Sequence, residues 1–298
     1  MCGIVGLLVK SPAQRIHLGE WAAPILDCMG DRGSDSAGLA LFSEPLPETR
    51  RRISLFADGG PCDWDEFRSA FTTTVDPSAQ FSVCERHANI ETVAEVQSVR
   101  LWVKTQFPLV RLLSAGRTVS VYKDIGAPRT LIERYALRTA IGTHVVGHTR
   151  MATESAVSVA HAHPFTAGED FCLVHNGSLS NPYSIRRRLE RRGIAFETDN
   201  DTEAACRFLQ WRMAEGDSLE QAIERGFDEL DGFYTLLIGT PERLVIVRDP
   251  FACKPAVVAE TDDYVAISSE FRSLAHLPGI RKARIFEPAP ERIYSWTV

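Results

Sequence analysis

The chain has 298 residues, 44% hydrophobic and 24% charged, a globular composition that excludes a disordered protein and suffices for a sizeable core. Thirty-three Lys+Arg against 39 Asp+Glu leave a net charge of −6, which argues against a nucleic-acid partner, and no apolar run nears the ~20 residues that span a bilayer. The start, Met1-Cys2-Gly3-Ile4-Val5-Gly6, has no basic n-region or cleavage site, and seven cysteines without a C-x-x-C pair disfavour a disulfide scaffold, a zinc ribbon or an iron–sulfur site held by this chain alone; the expected location is a reducing cytoplasm.

Gly3–Val9 reads as a strand that begins one residue after Cys2. Trp21, Ile25, Leu26 and Met29 recur at helical spacing, and Gly30 can end that helix. Leu39–Phe42 is a second strand, after which Glu44-Pro45-Leu46-Pro47 breaks regular structure. From 45 to 142 the signals alternate as in a small α+β layer, with strands at Ile53–Phe56, Phe81–Cys84 and Thr118–Tyr122 and helices at Trp64–Phe71 and Ile90–Lys104. Strands follow at His144–His148 and Phe171–His175. The next helix is clearly punctuated: Asn181 as N-cap, Pro182 at N1, Ile185 and Leu189 on one face, and Gly193 at the end. Further helices begin near Asp201-Thr202-Glu203, with Ala205, Phe208, Leu209 and Met213 on one side, and span 218–230. Four apolar runs close the chain: Phe233–Ile238, Leu244–Val247, Ala256–Val258 and Tyr264–Ile267. Helices between two blocks of strands suggest helices stacked outside a pair of mostly antiparallel sheets.

Three places can carry chemistry. Removal of Met1 would give Cys2 both a thiol and a free α-amine, with reference pKa values of ~8.5 and ~7.7–8.0. The amine can then take the thiol's proton, making nucleophile and base from one residue; the competing reading is a buried structural cysteine. His175-Asn176-Gly177 offers an amide and a glycine N–H as oxyanion donors, although Asn-Gly alone favours a hairpin turn. Arg150 and Asp201 supply a cation for a carboxylate and an acceptor for an ammonium; Asp201 can equally cap the helix it precedes. Arg186, Arg187, Arg188, Arg191 and Arg192 read as a solvated helix face rather than a docking patch.

Together these residues resemble the class II glutamine amidotransferases. Cys2-Gly3-Ile4-Val5-Gly6 resembles the family's amino terminus, and Arg32-Gly33-Ser34-Asp35-Ser36-Ala37-Gly38 its R-G-x-D-[SA]-x-G stretch. Gly147–Thr153 matches G-H-T-R-x-[AS]-T, His161–Phe165 resembles N-A-[HQ]-P-F, and His175–Asn181 matches H-N-G-x-[IL]-x-N. Asn200–Glu203, Arg248-Asp249-Pro250 with Lys254-Pro255, and Ser268-Ser269-Glu270 complete eight motifs in the family's order. The resemblance implies an α+β fold, the four-layer αββα sandwich of N-terminal nucleophile hydrolases, over 1–298 with 45–142 an inserted α+β segment. It implies Cys2 as nucleophile, Asn176 and Gly177 as the oxyanion hole, Arg150, Thr153 and Asp201 as the glutamine site, and Arg32 packed behind the nucleophile. No metal is implied; the His161-Ala162-His163-Pro164-Phe165 segment becomes a structural loop, and the other cysteines inert thiols.

The sequence departs from the family at Glu154-Ser155, Met151 and Ala252, which alters the pocket's shape but removes no catalytic group. The long insert and the run His148–Ser155 look like the amidotransferase-like subunit of N-methylglutamate synthase and related split glutamate synthases. That narrower resemblance implies glutamate-synthase-like partner subunits that take the ammonia and carry any FMN or iron–sulfur cofactor, with none on this chain. Two rivals stand beside it: an amidase for another γ-glutamyl compound, and a non-catalytic amidotransferase-like scaffold.

Overall fold

The computed structural model describes residues 2–60, 62–152 and 156–298. The chain runs β1 (Gly3–Val9), α1 (Leu18–Cys28), β2 (Ser36–Phe42), β3 (Arg51–Ala57), α2 (Trp64–Thr74), β4 (Gln80–Cys84), β5 (His87–Thr92), α3 (Val96–Gln106), β6 (Val110–Gly116), β7 (Val119–Ile125) and α4 (Pro128–Arg134). It continues through β8 (His144–Arg150), β9 (Phe165–Thr166), β10 (Cys172–Leu179), α5 (Pro182–Glu190), α6 (Asp201–Ala214), α7 (Leu219–Glu229), β11 (Gly232–Thr240), β12 (Arg243–Arg248), β13 (Val257–Glu260), β14 (Tyr264–Ser268), β15 (Arg284–Phe286) and β16 (Tyr294–Thr297).

A seven-stranded sheet, in the order β15-β13-β14-β1-β8-β2-β7, faces a five-stranded sheet, β16-β12-β11-β10-β9. The period-2 alternation of strands explains the layering. On β1, Ile4 and Leu8 join Phe42, Val146, Val174 and Leu237 between the sheets. Val5, Leu7 and Val9 point the other way, against Trp21, Ile25 and Leu26 of α1 and Leu131 of α4. On β10, Leu173 and Leu179 face outward to α5 and α6 through Ile185, Leu189 and Phe208. The result is the expected four-layer αββα sandwich.

A third sheet, β4-β5-β3-β6, has its own core with α2 and α3, built on Phe67, Phe71, Ile90, Val99 and Val103. Within 45–142 it takes Arg51–Gly116; β7 instead pairs with β2 in the main sheet, and α4 packs on α1. The helix expected at Ile90–Lys104 is split. Ile90 belongs to β5, whose end is fixed by Asp76 accepting from Thr92 Oγ1 (2.7 Å) and Val93 N (2.9 Å), and α3 starts only at Val96. The apolar spacing from Ile90 to Val96 had joined two elements that a buried carboxylate separates.

Candidate active site

Cys2 precedes the first residue of β1, and the register of β1 on β8, Gly3 opposite Thr149, brings Arg150 and Met151 alongside it. The Cys2 carbonyl accepts from Arg32 Nε at 2.9 Å and from Asn176 Nδ2 at 3.3 Å, and its Sγ lies 3.9 Å from the Met151 carbonyl. Arg32 also donates to Glu270 Oε1 at 2.8 Å. Ser269 Oγ accepts from the Ile4 N–H, two residues on, at 3.0 Å. The motifs Arg32-Gly33-Ser34-Asp35 and Ser268-Ser269-Glu270, distant in sequence, thus converge on the amino end of β1.

Arg150 is buried at the end of β8, with Nη1 donating to the Ala156 carbonyl at 3.0 Å. Asp35 braces the same turn: its N–H donates to the Arg150 carbonyl at 3.0 Å, and its Oδ2 accepts from Ala152 N at 2.8 Å. Gly33 allows this approach, since a Cβ there would stand 2.5 Å from the Arg150 main chain.

Opposite, β10 runs on to Leu179, past the end expected at His175. Asn176 and Gly177 do not form a hairpin turn; they pair with Thr235 and Tyr234 inside the ladder. The local Asn-Gly signal is overridden because β11 lies alongside and pairs with the segment. Gly177 has φ +149°, and a Cβ would sit 2.1 Å from the Phe233 carbonyl, so only glycine fits. The Asn176 side chain points between the sheets to Cys2, whereas His175 and Gly177 face the other side.

A cavity of about 530 Å³ is lined by Cys2, Arg150 and Met151 on one wall and by His175, Gly177 and Asp201 on the other, with Tyr183, Phe233 and Lys254 also at its walls. Asp201 opens α6. Its Oδ2 accepts from Leu179 N at 2.9 Å, and its Oδ1 lies 3.7 Å from His175 Nδ1. Burial works to raise this carboxyl, but the His175 ring and the N–H groups of Leu179 and Thr202 outweigh it and hold it down at about 2. It is therefore an anion at neutral pH. The helix cap is Asn200, which accepts from Thr202 N at 2.8 Å, so Asp201 is spared that role.

Behind this wall three buried histidines form one group. Thr202 Oγ1 lies 2.7 Å from His163 Nε2 and 3.0 Å from His175 Nδ1. His163 stacks on His148 at 4.0 Å, and His148 Nε2 donates to the His175 carbonyl at 3.1 Å. Burial depresses His148 to about 3 and His163 well below the usual range, so both are neutral.

Cys2, Arg150, Gly177 and Asp201 therefore share one cavity, and Arg32 and Asn176 reach Cys2 from behind it. Thr153 lies outside the described residues. The residue-level reading of the sequence missed Asp35, Ser269 and Glu270 as braces, although all three sit inside quoted motifs, and it missed Lys254 and Tyr183 at the cavity wall. The arginine-rich helix needs a correction. Arg186 is buried, donates to the Thr198 carbonyl at 2.7 Å and to the Asn200 carbonyl, and stacks 4.4 Å over Phe196. It holds the loop before Asp201 rather than facing solvent. Burial pushes the Cys206 thiol up to about 12 and the Cys172 thiol higher still, which keeps both protonated.

Two facing antiparallel sheets between helical layers, with a cysteine at the amino end of the central strand bordering the cavity, define a class II amidotransferase fold. Residues 148–276 match the family model described as a glutamine amidotransferase domain. The glutamine amidotransferase-like protein GlxB of Rhizobium meliloti is 45% identical over 297 residues, covering 99% of this chain and 98% of that protein. A putative glutamine amidotransferase of Methanothermobacter thermautotrophicus is 30% identical over 306 residues, covering 99% of each. The chain belongs to the glutamine amidotransferase family. Among solved structures, the glutamine phosphoribosylpyrophosphate amidotransferase of B. subtilis superposes with a TM-score of 0.61 at 18% identity, over 99% of this chain and 49% of that one. The likeness is one of fold, and this chain spans about half the length of that enzyme. No described helix is long and apolar enough to cross a membrane.

Proposed function

We propose that the protein hydrolyses the side-chain amide of glutamine with Cys2 as nucleophile and passes the ammonia to a partner synthase of the N-methylglutamate synthase type. The observation that carries this reading is the double grip on Cys2: Arg32 and Asn176 both bind its carbonyl while the residue borders the cavity that holds Arg150 and Asp201.

In this reading Arg150 takes the α-carboxylate of glutamine and Asp201 its ammonium. The Cys2 α-amine, freed by loss of Met1, accepts the thiol proton as Sγ attacks the amide carbon. Asn176 Nδ2 and the Gly177 N–H stabilise the oxyanion. The protonated amine returns its proton to the departing nitrogen, the C–N bond breaks, and ammonia leaves a γ-glutamyl thioester. Water, deprotonated by the same amine, then cleaves the thioester to glutamate and regenerates the thiol. The partner assignment rests on the insert and the run His148–Ser155. Any flavin or iron–sulfur chemistry would belong to the partner subunits.

Ammonia and amine release from L-glutamine, D-glutamine, asparagine and γ-glutamyl alkylamides separates this reading from the γ-glutamyl amidase. The proposal expects L-glutamine to be preferred by kcat/KM. Faster turnover of a γ-glutamyl alkylamide would favour the amidase, and no turnover of any substrate, with partners present, would favour a scaffold.

A further inference from the structure

A second cavity, of about 70 Å³, lies where the third sheet meets the sandwich. Strand β6 of the third sheet, edge strands β7 and β9 and helix α6 form its walls. Four cations line it, Arg100, Arg111, Lys123 and Arg207, against two carboxylates, Glu197 and Glu203.

The arginines are already matched. Arg111 pairs with Asp58, Arg100 with Glu197 at 3.2 Å, and Arg207 with Glu203 at 2.7 Å. Glu203 is further occupied by the N–H groups of Glu197 and Thr198 at 2.9 and 2.8 Å. Lys123 is different. It is only 5% exposed, and its Nζ has no hydrogen-bond or ion-pair partner among the described residues. It lies over the face of Phe165, 4.9 Å from the ring centre. An aromatic face offsets only part of the cost of burying an ammonium. Burial pushes Lys123 down to about 8, with Glu197 and Glu203 countering part of the effect from a distance.

We propose that this cavity binds the oxyanion head group, carboxylate or phosphate, of a small metabolite, with the Lys123 ammonium as its principal counter-charge and Arg111 and Arg207 beside it. The site lies apart from the glutamine cavity but shares a wall element with its surroundings. Glu203, on the cavity wall, also holds the main chain at 197 and 198, just before Asp199, Asn200 and Asp201 at the glutamine cavity.

Calorimetric titration of the full chain with inorganic phosphate and with acetate, at ionic strength matched by sodium chloride, tests the site without reference to glutaminase activity. Saturable binding of at least one of the two is expected. Lys123→Met, which keeps length and apolar bulk, should weaken it roughly 10–100-fold, and Lys123→Arg should retain most of it. Absence of saturable binding of either anion to the wild-type chain overturns the proposal whether or not the variants fold. A folded Lys123→Met that binds as tightly as wild type overturns it equally.

Discussion

Asn176→Ala separates catalysis from architecture at this site. The side chain is buried, and its amide donates to the Cys2 carbonyl at 3.3 Å. That carbonyl keeps a shorter bond from Arg32 Nε, at 2.9 Å, so truncation leaves no orphaned acceptor. The folding cost is then that of one long hydrogen bond, about 1 kcal/mol or less, and a shift in Tm of about 2 °C in a chain of this size. If Asn176 serves as an oxyanion donor, as proposed, the transition-state cost is larger. Removing one oxyanion donor costs roughly 100- to 1000-fold in kcat, about 2.7–4 kcal/mol. KM for glutamine should move little, since the proposed head-group contacts, Arg150 and Asp201, are left in place. Steady-state ammonia release and a thermal melt on the same preparation read both quantities. A kcat within about threefold of wild type, in a folded variant, would refute the role assigned to Asn176.

Arg150→Lys should raise KM for glutamine and lower kcat/KM roughly 30–150-fold, because one ammonium cannot supply two parallel bonds to a carboxylate; an unchanged KM would remove Arg150 from the substrate site. Asp76 is held at about 2, because Thr92 and Val93 and the Ser78 hydroxyl and N–H outweigh the effect of burial. Its folded pKa lies below the unfolded ~3.9, so its contribution is complete above pH ~4 and fades as pH falls towards 2; hydrogen exchange in β5 should accelerate over that window, and Asp76→Asn should destabilise at neutral pH by about 2 kcal/mol while flattening the acid limb. Replacing 51–116 by a short Gly/Ser linker should preserve glutaminase activity and abolish copurification of partner subunits. Arg52 pairs directly with Gly116, so the ends already meet, and a folded deletion that still captures its partners would place docking elsewhere.

The parts legible in the sequence were those whose signal is local. The strand after Cys2 alternates between two apolar faces, and α5 and α6 begin where their start signals stand, although Asn181 makes no side-chain cap and donates instead to the Glu229 carbonyl at 2.9 Å. The misreadings share one cause, a local pattern reassigned by a partner distant in sequence. Asn176-Gly177 has the composition of a turn, yet β11 makes it a strand interior. Arg186 has the spacing of a solvated face, yet the carbonyls of Thr198 and Asn200 draw it inward. Lys123 lies one residue past the strand expected at Thr118–Tyr122 and is buried on β7 with Val119 and Val121. A sequence offers no sign of what stands across from it, and the cavity beside β6 became visible only once the third sheet was placed. Thr153 was named from the motif alone and lies outside the described residues.

The central claim is that Cys2, with a free α-amine, carries the glutamyl group. Intact-mass and peptide analysis of active, untagged protein, acid-quenched during turnover of L-glutamine, tests it most directly. The account predicts a chain beginning at Cys2 and a γ-glutamyl adduct confined to the peptide Cys2–Lys10, absent from Cys2→Ala. Active protein that retains Met1, or a glutamyl adduct on any other peptide, would contradict it.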